Sequence, residues 1–129
     1  MPAALTLAIV GADYPNEPKV PGRRFEIALC APGDPLELRP EPKNPADENA
    51  VAVYSERGVK IGYLTAERAP LILKHMREGH EPRAIFQSAA SFGAYARIAF
   101  DEEPSLPPPS AYSNGADDSG FWPDPTYDD

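Results

Sequence analysis

The sequence predicts a sheet-rich α+β domain with two short helices, followed by a disordered acidic C-terminal tail. Two observations predict the domain: short apolar or alternating segments recur between turn-forming residues, and only two segments carry helix signals. A third observation separates the tail, because every Lys and Arg precedes residue 101. Short strands with two small helices are typical of a compact, partly open barrel. We therefore place the folded domain at residues 1–103 and the tail at residues 104–129.

The first half of the domain alternates strand, helix and strand. Residues 5–12 (LTLAIVGA) form a short apolar run without a basic flank, which indicates a strand rather than a signal peptide. Residues 20–34 contain a short helix, with Pro21 near its start and an Ala-Pro-Gly sequence at its end. In residues 35–42, apolar and charged side chains alternate before prolines interrupt them, which predicts a half-buried strand.

The second half begins with a β-hairpin and continues through a helix to two more strands. The hairpin joins residues 50–55 and 59–64 through a tight turn. Thr65 is placed to cap a helix over residues 66–79, and Pro70 is expected to bend or restart that helix one turn inside. The last two strands are predicted at residues 83–88 and 94–100.

Charge divides the chain into two parts with different properties. The first 100 residues hold 12 basic and 12 acidic residues, so the last 29 carry the whole net charge of −8. The tail is rich in proline and small polar residues and has no hydrophobic period, which predicts disorder. Its final segment, GFWPDPTYDD, is either a docking motif for a protein partner or part of a solubilising acidic tail.

Motifs for catalysis and for cofactors are missing from the sequence. The single cysteine, Cys30, permits no internal disulfide, and His75 and His80 lack the paired ligands of a zinc site. Asp47 and Glu48 have no nearby basic partner for acid–base chemistry, and no phosphate loop or nucleophile elbow is present. No segment approaches the length of a membrane span. We expect a cytoplasmic, non-enzymatic monomer without metal or cofactor.

One stretch, EPKNPADENAVAVY at residues 41–54, concentrates short hydrogen-bonding side chains before a strand. Asn and Asp favour turns because their side chains bond to backbone N–H groups two residues later, and Pro45 keeps Asn44 extended. A tight turn therefore explains most of the composition. Alternatively, the amides and the carboxylate receive a ligand's hydroxyl or base edge, because three such side chains exceed what one turn requires. The residues concerned are Asn44, Asp47 and Asn49.

The stretch from Leu38 to Ile72 resembles the signature of the HIRAN domain family. That signature has Asn-Pro-x-Asp-x-Asn-Ala after a strand, then an apolar strand, Gly-Tyr-Leu and a helix. The residues that match it at the expected spacing are Asn44, Pro45, Asp47, Asn49, Ala50, Gly62, Tyr63 and Leu64. The resemblance extends over residues 5–100.

The resemblance implies a small OB-like β-barrel that binds DNA. In the form linked to remodelling ATPases, the domain captures the 3′ end of single-stranded DNA. By this resemblance, Asn44 and Asp47 would hold the terminus and Tyr63 would line the pocket. An ionised Asp47 would accept a hydrogen bond from a free 3′-hydroxyl and repel a 3′-phosphate.

The chain also departs from the ATPase-linked form, because its first strand lacks the arginine and aromatic residues that grip DNA there. Arg23 and Arg24, on an inserted helix, are candidate replacements for the phosphate contacts. Candidate stacking residues are Tyr14, Phe25, Phe92 and Tyr95. For each of these side chains, ordinary core or surface packing is the alternative.

Two classes of function remain open at this stage. The first is a module that binds single-stranded DNA 3′ ends in repair or at stalled forks, and the second is a non-catalytic protein-interaction adaptor on the same scaffold. A basic patch near Asn44 would favour the first class. The candidate members of that patch are Arg23, Arg24, Lys43, Lys60 and Arg97.

Overall fold

The structure, a computed structural model, describes residues 2–108 and confirms a sheet-rich fold with two short helices. The elements follow the predicted order along the chain. The strands are β1 (Leu5–Val10), β2 (Pro35–Pro40), β3 (Val51–Tyr54), β4 (Lys60–Leu64), β5 (Pro82–Ala90) and β6 (Gly93–Phe100), and the helices are α1 (Arg23–Leu29) and α2 (Ala69–Arg77).

The six strands form a closed antiparallel barrel in the order β1-β4-β3-β2-β5-β6. β1 pairs with both β4 and β6 and thereby joins the two halves of the sheet. β2 and β5 complete the ring through Pro35 opposite Ile85 and Leu36 opposite Ala84. The barrel is therefore closed, whereas the sequence patterns suggest a partly open one.

Alternation along the strands sets an inward and an outward face. In β1, Leu7 and Ile9 are buried in the core, whereas Thr6, Ala8 and Val10 point outward and are partly exposed. Full burial of each large aliphatic or aromatic side chain contributes about 1.5–3 kcal/mol. The largest fully buried apolar side chains are Phe100, Ile9, Ile61, Ile72, Ile98, Val51 and Val53.

Helix α2 begins later than the sequence predicts. Thr65 does not cap it through its side chain; instead its carbonyl oxygen accepts hydrogen bonds from the N–H groups of Arg68 and Ala69. Pro70 consequently lies in the first turn, where no intrahelical N–H bond is required, and it does not bend the helix. Ala69 and Ile72 provide the buried face of α2.

The chain after β6 runs along the barrel where β2 pairs with β5. Residues 103–106 line a groove of about 690 Å³ together with residues of β2 and β5, and Arg83 forms an ion pair with Glu103. The disordered tail predicted for residues 104–129 lies, from residue 109 onward, outside the described residues. In the described part of the chain, neither helix has the length and apolar character needed to cross a membrane.

Candidate nucleic-acid interface

The loop between β2 and β3 is shaped by the side chains that the sequence marks as unusual. Asn44 Oδ1 accepts hydrogen bonds from the backbone N–H groups of Ala46 (2.8 Å) and Asp47 (3.2 Å). Asp47 Oδ1 accepts one from the N–H of Asn49 at 2.9 Å. These bonds are the ones that a tight Asn/Asp turn predicts, so the turn interpretation accounts for much of this composition.

The same loop keeps hydrogen-bonding capacity for a ligand. Within residues 2–108, Asp47 Oδ2 accepts no hydrogen bond, and the side chains of Asn49 and Lys43 contact no polar partner. Pro45 is exposed and lines, with Lys43 and Asn44, a shallow depression of about 410 Å³. The loop therefore presents one carboxylate oxygen, one amide and one ammonium group to the outside.

Glu41 joins this loop to β4. Its Oε1 accepts hydrogen bonds from Asn44 Nδ2 and from the hydroxyl of Tyr63, both at 2.9 Å. Its Oε2 lies 3.2 Å from Lys60 Nζ, which also donates to the Tyr63 hydroxyl at 2.8 Å. Four side chains from the loop and from β4 thus form one hydrogen-bonded cluster.

The hydrogen bonds of this cluster also favour the charged forms of Glu41 and Lys60. Burial alone would raise the pKa of Glu41, but hydrogen bonds from Asn44, Tyr63 and Lys60 outweigh it and hold the pKa below its ordinary value. Burial alone would lower the pKa of Lys60, but its bonds to Tyr63 and Glu41 leave that pKa raised. Both groups are therefore charged at neutral pH.

Tyr63 lies beside a second tyrosine at the end of β1. A methyl group placed on Gly11 would lie 3.8 Å from Tyr14 and 4.0 Å from Tyr63, so both rings flank the same glycine. Tyr14 is 69% exposed, and the Arg23 guanidinium is 5.7 Å from the centre of the Tyr63 ring. Tyr14 lies in the loop that follows β1, and of the proposed stacking residues it is the one that approaches Tyr63 beside Gly11.

The two arginines of α1 have structural roles in this structure. Arg23 is 9% exposed and donates hydrogen bonds to Asn16 Oδ1 and to the carbonyl of Gly11, both at 2.9 Å. Arg24 pairs with Asp13 and donates to the carbonyl of Ser91 at 2.9 Å. Arg23 lies beside the ring of Tyr63. Arg24 links the loop after β1 to the turn between β5 and β6.

Tyr95 occupies the same outward face, farther along β1. It lies opposite Ala8, and its ring packs edge-to-face on Phe92 with 5.3 Å between the ring centres. Phe25 is exposed on α1, and no aromatic contact joins it to these rings in the described part of the chain. The structure therefore brings Tyr14, Tyr63, Tyr95 and Phe92 onto the side of the barrel formed by β1, β4 and β6.

Sequence reasoning did not assign Arg39, Tyr54 or Glu41 to the interface, although it named Lys60 as a candidate. Arg39 stacks 3.8 Å from the centre of the Tyr54 ring, and Lys60 lies 5.8 Å from the same ring. Arg39 and Tyr54 are outward-facing residues of β2 and β3, which the alternation of these strands could have identified. The role of Glu41 depends on contacts with β4, for which the sequence carries no signal.

The interface offers groups that can bind a ligand. Within residues 2–108, no three His, Cys, Asp or Glu side chains are grouped to hold a metal ion. Tyrosine rings beside Arg and Lys offer stacking and cation–π surfaces for planar groups, and a free carboxylate oxygen offers a hydrogen-bond acceptor. This arrangement matches a flat, partly polar ligand with a hydroxyl group.

A closed barrel with such a face defines the class of protein: a small OB-like binding domain. The family model of the HIRAN domain matches residues 5–89, more than half of the chain, and the chain belongs to the HIRAN domain family. This membership confirms the family resemblance and supports a nucleic-acid-binding module.

Two solved structures share the fold. The HIRAN domain of human HLTF has 21% sequence identity and a TM-score of 0.60, with 76% of this chain and 74% of that chain covered. A protein from Lactobacillus plantarum has 20% identity and a TM-score of 0.63, with 74% and 91% covered. No curated protein sequence matches the chain.

Proposed function

We propose that this domain binds single-stranded DNA and recognises its 3′ end, acting in DNA repair or at stalled replication forks. It works as a monomeric binding module without catalysis of its own. The observation that carries the proposal is the state of Asp47: a backbone N–H holds one carboxylate oxygen, and the other accepts no hydrogen bond from residues 2–108. A fixed carboxylate with one open oxygen is suited to accept a hydrogen bond from a free hydroxyl.

Some of the surrounding residues hold the loop in position, and others contact the ligand. Asn44 is engaged by the loop and by Glu41, so it positions Asp47 and donates at most its remaining amide N–H. Tyr63 and Tyr14 supply ring faces for the terminal nucleotides, and base stacking on such rings contributes about 1–3 kcal/mol per base. Because every base has a π-face, the preference concerns the end and not the sequence.

The central test is the discrimination between a 3′-hydroxyl and a 3′-phosphate. We expect wild-type protein to bind the 3′-hydroxyl oligonucleotide more tightly than the 3′-phosphate one. The Asp47→Asn variant should lose about tenfold of that preference, because a hydrogen bond to a charged group contributes about 1.5–3 kcal/mol. Glu48→Gln removes the same charge from an exposed neighbour and is the matched control. If a folded Asp47→Asn variant keeps the full preference, the assignment of Asp47 is wrong.

A protein-interaction adaptor is the second candidate function, and α1 favours it. Phe25 and Leu29, one helical turn apart, are 63% and 51% exposed, and they form an apolar pair on the surface. The tail is a further candidate docking arm for a protein. Serine at both positions of α1 should leave DNA binding unchanged and should remove any protein partner that uses this helix.

A further inference from the structure

A second polar cluster lies on the outward face of β1, β5 and β6, away from the Asp47 loop. Arg97 of β6 stands opposite Thr6 of β1, and its Nη1 donates to Thr6 Oγ1 at 3.2 Å. Thr6 in turn donates to Gln87 Oε1 at 2.8 Å, which leaves the Gln87 amide nitrogen without a partner among residues 2–108. The cluster therefore holds one cation and one spare amide donor.

Arg97 is the anomaly of this cluster. Its Nε is buried and has no hydrogen-bond partner within the described residues, and no carboxylate there lies within ion-pair distance of its guanidinium. Burial lowers the pKa of Arg97, and no neighbouring charge opposes that effect. By contrast, Arg57 pairs with Glu26 and Arg83 with Glu103. Desolvation destabilises a half-buried cation that has no counter-charge, and a bound anion would offset this cost.

Arg97 lies on the same face of the barrel as Tyr63, in line with the proposed end-binding site. On β1, Val10 lies opposite Tyr63, Ala8 opposite Tyr95 and Thr6 opposite Arg97. Outward residues of a strand are spaced about 6.6 Å apart, so Arg97 lies about 13 Å along β1 from the level of Tyr63. A stacked strand carries one phosphate per about 3.4 Å of its axis, so this separation along β1 corresponds to about four stacked nucleotides.

We propose that Arg97, with Thr6 and Gln87, forms a phosphate site for the backbone of a nucleic-acid strand that leaves the end-binding pocket past Tyr95. The inference rests on the proposed function and adds a direction to it: from its 3′ end near Tyr63, the strand extends toward its 5′ end along β1, from the level of Val10 to that of Thr6. Arg97 supplies the charge, and the Gln87 amide supplies a second donor. The site is indifferent to base identity because it contacts only the backbone.

The test compares two oligonucleotide lengths on the full chain. The probes are a thymidine dinucleotide, which is too short to reach Arg97, and an octathymidylate, both with a free 3′-hydroxyl. Arg97→Gln should weaken octathymidylate binding about tenfold, from the loss of a charged hydrogen bond, and should leave dinucleotide binding unchanged. The salt dependence for the longer probe should become less steep by about 0.7, the value for one phosphate on a single strand.

Controls separate this inference from the proposed function. Arg77→Gln removes the same charge from an exposed position on α2 and should change neither probe. Should Arg97→Gln fail to fold, Arg97→Lys keeps the charge without the guanidinium fork and should lose part of the affinity while keeping the slope. Equal octathymidylate affinity of folded Arg97→Gln and wild type overturns the phosphate site alone, whereas a wild type that binds neither probe overturns the proposed function.

Discussion

The hydroxyl of Tyr63 donates a hydrogen bond to Glu41 at 2.9 Å, across the gap between β4 and the loop that follows β2. Because the same carboxylate also bonds to Asn44 and Lys60, it joins the loop to β4 through three side chains. Glu41 is not itself proposed to contact the ligand, but it bonds to the Tyr63 hydroxyl and to Asn44 in the loop that carries Asp47. It is therefore a positioning residue for the proposed site.

Replacing Glu41 with Gln should weaken both stability and binding. The substitution removes the charge that Lys60 and Tyr63 share, and we expect a loss of about 1–2 kcal/mol in the free energy of unfolding at pH 7. DNA affinity should fall several-fold because the loop and Tyr63 are no longer held together. Chemical denaturation and fluorescence anisotropy measure the two effects, and Glu67→Gln, at an exposed position, is the control. Unchanged affinity with lowered stability would show that the cluster supports the fold alone.

The pH dependence of stability should identify the same carboxylate. Because the folded-state pKa of Glu41 lies below its ordinary value of 4.5, its contribution is complete above about pH 4.5 and is lost as pH falls through the folded-state pKa. The raised pKa of Lys60 acts in the opposite range, since its contribution is lost only as pH rises beyond its ordinary 10.5. The stability gap between wild type and Glu41→Gln should hence shrink between pH 5 and pH 3, and a constant gap would contradict the assignment.

Gly62 should be irreplaceable for a steric reason. A Cβ at this position would lie 2.4 Å from the carbonyl oxygen of Val10 and 2.8 Å from Ile9, where β1 closes onto β4. Its φ of +155° adds strain for any side chain. Gly62→Ala should cost about 3 kcal/mol or more of unfolding free energy, whereas Gly22→Ala, in open space at negative φ, should be nearly neutral. A small loss at Gly62 in thermal denaturation would mean that β1 and β4 can separate.

Most of the fold could be predicted because its signals are local. The hairpin β3–β4 and the alternation in β2 depend on residues close in sequence, and both match the structure. The start of α2 could not be predicted, because threonine is a common N-cap residue and Thr65 therefore suggested an earlier start. In the structure α2 begins at Ala69, which puts Pro70 in the first turn, where proline is favoured. Closure of the ring depends on the Pro35–Ile85 pairing, which joins distant segments and leaves no local pattern.

The hydrogen bonds of the candidate site were predictable only in its loop. Asn44 and Asp47 have a turn chemistry that the sequence displays, and the structure shows the hydrogen bonds that this chemistry implies. The exposure of Arg23 could not be judged from its charge, because its partners are a side chain and a carbonyl of the preceding loop. Its near-burial leaves little of this side chain exposed to a ligand.

Salt should affect DNA binding only moderately. Arg24 is paired with Asp13 and Lys60 with Glu41, so few cations at the interface are free to replace counterions. We expect two or three phosphate contacts and a slope of log affinity against log salt of about −1.5 to −2, from about −0.7 per phosphate on single strands. Titrations between low and moderate salt measure this slope. A value steeper than about −5 would require a broad basic footprint that the described residues do not present.

The acidic tail should compete with DNA for the interface. Residues 109–129 contain five Asp and no Lys or Arg, together with the aromatic residues Phe121, Trp122 and Tyr127. Tethering gives such a segment an effective concentration of about a millimolar, enough to compete with a weak ligand. Its acids resemble phosphates in charge, and its rings resemble bases in their capacity to stack on Tyr14 or Tyr63.

Removal of residues 109–129 should therefore tighten single-strand binding several-fold at low salt, and the gain should shrink as salt screens the charges. Cutting after Pro108 keeps Glu103 and Leu106 in their groove beside β2 and β5, so Tm should not change. A full-length variant with Asn at the five tail Asp positions separates charge from bulk, and it should recover most of the gain. Equal low-salt affinities of the truncated and full-length chains would exclude competition and leave the tail as a solubilising segment or a docking arm for another protein.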